Sequence, residues 1–141
     1  STTPATMQAD PRYGDVVAEV GTWLRERVSA LTGQGLGEDT LAVDPGIGFG
    51  KTTEHNLQLL AGLGALAEVG RPVVAGLSRK RFLGMVTGQP VEGRLAGSVA
   101  GLVYAFLRGA HILRVHDVRA SVDAARLLSA LRREERAAWN G

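Results

Sequence analysis

Apolar positions from Val16 onward fall on one helical face: Val16, Val20, Trp23, Leu24, Val28 and Leu31 follow the i, i+4, i+7, i+8 spacing. Gly33 and Gly35 stop that stripe, and Leu41-Ala42-Val43 opens a short apolar run that closes at Asp44. The spacing predicts a second helix over 54–69, with Leu57, Leu60, Leu63 and Leu66 on one face, ended by Gly70 before the run Pro72–Leu77. A third helix is predicted over 94–108 from Leu95, Val99, Leu102, Val103 and Phe106, and Gly109 closes it ahead of the run His111–Val115. Val122, Ala125, Leu128 and Leu131 predict a last helix over 119–138.

Strands alternating with helices imply an α/β fold whose strands run parallel and are joined by right-handed crossovers. The C-terminal ends of such strands share one edge of the sheet, where α/β proteins bind ligands. Here that edge collects chemistry. Asp44 leads into Pro45-Gly46-Ile47-Gly48-Phe49-Gly50-Lys51, the second strand ends in Ser78-Arg79-Lys80, and the third carries Arg114 and ends at His116-Asp117. About three strands and four helices make neither a closed barrel nor a complete doubly wound sheet, and an open parallel edge invites aggregation. The chain is therefore expected to be the C-terminal part of something larger.

Composition narrows the function classes. A hydrophobic content of 45% with 21% charged residues describes a globular chain. Sixteen cationic residues nearly balance fourteen acidic ones, leaving +2, and no block of like charge forms a nucleic-acid footprint. No apolar run reaches the ~18–20 residues that span a bilayer, so no membrane partner is expected. Ser1-Thr2-Thr3-Pro4 has no signal-peptide character, and the absence of cysteine excludes disulfides and thiolate metal sites, which suits the cytoplasm. Only two of the cations are lysines, Lys51 and Lys80, and both lie in strand-end segments. A compact ammonium is not interchangeable with a guanidinium fork, so this placement favours a site.

The glycine-rich loop is not one of the common phosphate loops. Gly50-Lys51-Thr52 would end a Walker A loop, but position 45 is Pro and Gly46 is one residue too close. The Gly46, Gly48, Gly50 spacing also fails the dinucleotide fingerprint. What remains is a loop that lets backbone approach a flat or anionic ligand, with Asp44 at its root; its plain alternative is a turn needing positive φ. Arg114 and His116, two apart on a strand, project from one face, and a cation in the mouth of a sheet needs an anion. Asp117 is a candidate partner for His116, although adjacent strand residues face opposite sides. His55 and His111 read as structural residues near a helix start and a strand start.

Asp-Pro-Gly-Ile-Gly-Phe-Gly-Lys-Thr at 44–52, Ser-Arg-Lys at 78–80 and Arg-Val-His-Asp-Val at 114–118 resemble the dihydropteroate synthase family. Asn56, Gly84, Gly109-Ala110-His111 and the loop-like Thr3–Gln8 fit the same pattern, so the resemblance runs along essentially all of 1–141. It implies the C-terminal part of a (β/α)8 barrel, with these strands sixth, seventh and eighth. It further implies joining of p-aminobenzoate to 7,8-dihydropterin-6-ylmethyl diphosphate, giving 7,8-dihydropteroate and pyrophosphate. By resemblance, Asp44 accepts from the pterin N–H edge, a bidentate match. Gly48, Phe49 and Gly76 shape the pocket, Lys80 donates to pterin acceptors, and Arg79 stands at the mouth of the aminobenzoate site. Ser78 meets the aminobenzoate carboxylate, helped by a nearby helix N-terminus. Arg114 and His116 hold the diphosphate and the charge that grows as it leaves. Lys80, Arg114 and His116 form the implied catalytic set, none a covalent nucleophile.

The resemblance also implies Mg²⁺, with its protein ligand outside this chain, and a homodimer through the last three helices, where Ala96, Gly97, Ala100 and Gly101 permit close approach. Strands one to five of the family are not represented. Little or no synthase activity is therefore expected of this chain alone, measured as p-aminobenzoate-dependent pyrophosphate release. Two alternatives are a non-catalytic pterin-binding module, as in corrinoid methyltransferases, and an inactive interaction fragment. The cations at 78–80 and the Arg114/His116 pair disfavour the first, because methyl transfer releases no diphosphate.

Overall fold

The structure, a computed structural model, describes residues 12–139. The segment Thr3–Gln8, compared above with a barrel loop, lies outside the described residues. Helix α1 (Val16–Gly33) starts at Asp15, whose carboxylate accepts from the Ala18 N–H at 3.0 Å. It buries Val16, Val20 and Leu24, while Trp23 is 55% exposed and stacks under the Arg27 guanidinium. The expected stripe is thus narrower than its sequence, because α1 packs mainly against the two helices that follow the first strand segment.

Those two helices replace the single one expected over 54–69. Helix α2 (Thr53–Ala61) and helix α3 (Leu63–Ala67) are separated at Gly62. A Cβ on Gly62 would lie 2.7 and 2.9 Å from the Val17 methyls, so the break is where α1 crosses closest. Leu60, Leu63 and Leu66 are buried as expected; Leu57 is exposed, and Leu59 takes the place inside.

Strand β1 (Val74–Ala75) pairs in parallel with strand β2 (Ile112–Leu113), Val74 opposite Ile112 and Ala75 opposite Leu113. The segment before Asp44 joins through one parallel bridge, Val43 opposite Val73. Val43 N–H donates to the Pro72 carbonyl at 2.8 Å and Val74 N–H to the Val43 carbonyl at 2.7 Å. All three predicted strand segments are therefore parallel neighbours, with 72–75 in the middle, although each is shorter than its apolar run. Asp44, Gly76–Lys80 and Arg114–His116 leave the sheet at the same end.

Helix α4 (Arg81–Thr87), absent from the periodicity, follows β1 and buries Phe82 and Leu83. Helix α5 (Leu95–Leu107) and helix α6 (Val118–Trp139) match the last two predictions closely. The core lies between the sheet and α1–α3, around Val43, Ile47, Leu59, Leu63, Leu66 and Val73. Gly97 and Gly101 of α5 are spent inside the chain, Gly97 against Thr87 and Leu83 and Gly101 against Leu77, while Ala96 and Ala100 stay exposed. Among the described residues no helix is long and apolar enough to cross a membrane.

Candidate active site

Asp44 ends the first strand segment and immediately turns the chain, its Oδ1 accepting the Gly46 N–H at 2.8 Å. Gly46, Gly48 and Gly50 all have positive φ, so the plain turn requirement holds for each. Gly48 has a further reason: a Cβ there would stand 2.7 Å from the Lys80 side chain. The loop's carbonyls face the two lysines. Lys51 Nζ donates to Gly46 O and Phe49 O at 2.9 Å each, and Lys80 Nζ donates to Ile47 O. The Lys80 ammonium also sits 4.4 Å from the centroid of the Phe49 ring, a cation–π contact. Buried Asn56 fastens the loop from below, its Oδ1 accepting Gly48 N–H at 2.7 Å while its Nδ2 donates to Thr52 O at 2.9 Å.

Both ammoniums are held below the usual lysine range. For Lys51 the cause is burial, opposed by Asp44. For Lys80 burial leads, Arg114 and Lys51 add to it, and Asp44 opposes.

After β1, Gly76 passes beneath Arg114, whose guanidinium a Cβ would meet at 2.7 Å. The Arg114 guanidinium lies 3.7 Å from Asp44 Oδ2, an open pair between the first and third strand ends. Ser78 is only 6% exposed, and its hydroxyl accepts from the His116 N–H at 3.3 Å and lies 3.0 Å from His116 Nδ1. The Ser78 hydroxyl thus holds His116 while Ser78 also lines the cleft described below. Asp117 does not pair with His116; it accepts from Arg79 Nη2 at 2.7 Å and Nε at 3.2 Å. That pair raises the Arg79 pKa and lowers that of Asp117, in each case first through the hydrogen bond.

Arg79 itself has φ +59°, the one non-glycine residue in the left-handed region among those described. Lys80 N–H donates to Leu77 O, closing a turn whose third residue is Arg79. With the positive φ there and not at Ser78, the turn has the type II form that ordinarily takes glycine.

A cleft of about 160 Å³ opens at this end of the sheet, lined by Phe49, Gly76, Ser78, Lys80, Arg114, Val115 and His116. Six of the residues named from sequence therefore share one cavity, and Asp44 borders it through Arg114. Gly48 lies behind Lys80, and Arg79 turns away to Asp117 over a neighbouring depression. The cleft offers two cations, an exposed aromatic face and one carboxylate, which suits a flat, donor-edged ligand carrying an anionic group. Sequence spacing did not single out Arg94 or Ser98, which reach the same turn from α5 and its N-terminal flank; contacts across 15 and 19 residues leave no local pattern. His55 closes the capping box of α2 with Thr52, and His111 Nδ1 accepts the Val73 N–H at 3.1 Å.

Residues 1–116 match the family described as pterin binding enzyme. The chain is 47% identical over 120 residues to dihydropteroate synthase of Haemophilus influenzae, covering 85% of this chain and 44% of that protein. It superposes on dihydropteroate synthase from Xanthomonas albilineans in complex with 7,8-dihydropteroate, with TM-score 0.85 and 53% identity, over 86% of this chain and 47% of the other. For the enzyme from Stenotrophomonas maltophilia with active-site-bound imidazole the TM-score is 0.90 at 49% identity, over 94% and 50%. The chain thus spans about half the length of the relatives it matches, and its fold is that of the C-terminal part of their (β/α)8 barrel.

Proposed function

Because the chain belongs to the family of pterin-binding enzymes, we propose that its strand-end cleft is the C-terminal part of a dihydropteroate synthase active site, joining p-aminobenzoate to 7,8-dihydropterin-6-ylmethyl diphosphate. The observation that carries this is the convergence of Asp44, Phe49, Lys80, Arg114 and His116 at one end of three parallel strand segments. The 7,8-dihydropteroate bound to the Xanthomonas albilineans enzyme supports the same substrate class.

Asp44 receives the two parallel N–H donors of the pterin edge, its carboxylate already oriented by Gly46 N–H. Lys80 donates to the pterin acceptors from its place beside Phe49. Arg114, only loosely paired with Asp44, turns to the diphosphate together with His116. Ser78, in the cleft lining beside His116, meets the carboxylate of p-aminobenzoate, which enters beside the exposed Phe49 face, with Arg79 at the mouth. The bond from the pterin methylene carbon to the diphosphate oxygen breaks, and its electron pair leaves on pyrophosphate. The amine lone pair of p-aminobenzoate forms the new C–N bond, and the surplus amine proton passes to solvent. Preorganised cations beside the leaving oxygens, rather than a general base, lower the barrier.

The resemblance brings Mg²⁺ with it, but among the described residues no three His, Cys, Asp or Glu side chains gather to hold a metal. No step above runs through the ion. The exposed apolar residues of α6 support a homodimer through the last three helices. Titration calorimetry with 7,8-dihydropterin-6-ylmethyl diphosphate tests the site: saturable binding that disappears in Asp44→Ala is expected. Equal binding by both proteins would remove Asp44 from the pterin site and sink the proposal.

A further inference from the structure

Arg79 occupies a backbone conformation that an L side chain adopts at a cost, and such residues persist only where their surroundings over-determine them. Here the restraints are visible. The Arg79 N–H donates to Ser98 Oγ at 2.9 Å, and the Arg79 carbonyl accepts from Arg94 Nη1 at 2.9 Å. Ser98 is buried on α5, and Arg94 stands at the N-cap of that helix. Gly84 of α4 lets Arg94 in, since a Cβ there would lie 2.6 Å from its guanidinium. Both backbone groups of one strained residue are thus satisfied by side chains from a single distant helix start, and the residues on either side, Ser78 and Lys80, line the cleft.

We infer that Arg94 and Ser98 are positioning residues that lock the turn at Arg79 in its left-handed form and thereby aim Lys80 at the Ile47 carbonyl and the Phe49 ring. The inference rests on the cleft being the working site as proposed above, but its test needs no substrate. Without Ser98 Oγ, the Arg79 N–H loses its acceptor; without Arg94, its carbonyl loses its donor. Released, the turn relaxes to negative φ, and Lys80 swings away from the glycine-rich loop into water. Lys51 holds the same loop from its own segment and keeps its two carbonyls. The chain's only two lysines therefore report separately on the turn and on the loop.

Trace acetylation with acetic anhydride, resolved by mass spectrometry at Lys51 and Lys80 from neutral to strongly alkaline pH, reads each amine's titration and access. The charged groups facing Lys80 are Arg114, Asp44 and Lys51. In Ser98→Ala, and separately in Arg94→Gln, the Lys80 midpoint should rise toward the ordinary lysine value and its alkaline plateau rate should increase several-fold, with the Lys51 profile moving far less and its plateau rate unchanged. An unchanged Lys80 profile in both variants would overturn the inference. So would equal movement of both lysines, which reports general loosening instead of one released turn. Failure of pterin binding in the calorimetric test would leave these profiles as they are, so the two proposals fail separately.

Discussion

Gly48 and Gly76 both stand where a side chain would strike a basic residue, yet the two collisions differ in kind. At Gly48 the backbone has φ +85° and the new Cβ would meet the mid-stem of a pinned Lys80 at 2.7 Å. At Gly76 φ is not in the left-handed region, and the Cβ would meet only the far end of the flexible, exposed Arg114. Gly48→Ala should therefore cost about 1–2 kcal/mol in urea denaturation, whereas Gly76→Ala should cost less, because Arg114 can move aside. Equal losses for the two would show that clearance, not backbone conformation, sets the price at Gly48.

The same lysine links stability to pH. Its folded-state pKa lies below the ordinary value near 10.5, chiefly through burial. Between those two values the unfolded chain binds more protons than the folded one, so stability must rise with pH across that window and fall as pH drops through the folded value. Urea midpoints for the wild type minus those for Lys80→Met should show this alkaline rise; a flat difference would mean that Lys80 is solvated. The convergence of Asp44, Lys80, Arg114 and His116 at one end of the sheet was legible from sequence because each lies within or just past the end of an apolar run. Ser78's bond to His116 and Asp117's to Arg79 were not, because both join segments 38 residues apart.

At the scale of elements, periodicity located α1, α5 and α6 well and misjudged the middle of the chain. The cause is Gly62. Leu57 to Leu66 keep a continuous helical spacing, but α1 crosses so near that a Cβ at 62 would touch both Val17 methyls and approach the Gln58 carbonyl at 3.2 Å. Spacing along one helix carries no information about the distance to another. Gly62→Ala should overpack this crossing and cost about 1–3 kcal/mol, even though alanine is the better helix former. Adding Val17→Ala should recover a measurable part of the loss, because the clash is with its methyls. A stabilised Gly62→Ala single variant would place the break in local propensity instead. Helix α4 escaped prediction for a related reason: its seven residues are too few to show a period, and only the burial of Phe82 and Leu83 fixes it.

At the scale of the whole molecule, α6 is the element least accounted for within the chain. It is the longest helix described, and Ser121 is the one residue it fully buries, because it packs chiefly on α5. Leu127 and Leu131, one turn apart, are 62% and 52% exposed. Apolar residues spaced by a helical turn form a stripe that calls for a partner, and α5 already presents its opposite side to Leu77 through Gly101. A second copy of the chain answers this in the proposed homodimer, with Ala96 and Ala100 on the outer face of α5 allowing approach. Sedimentation velocity over a broad concentration series should show reversible dimerisation, and Leu131→Glu should shift it toward monomer without moving the urea midpoint of the dilute protein. If the wild type stays monomeric at the highest concentration, the α6 face is not a homodimer contact. If Leu131→Glu dimerises like the wild type, the contact lies elsewhere, and the exposed leucines of α6 have no part in it.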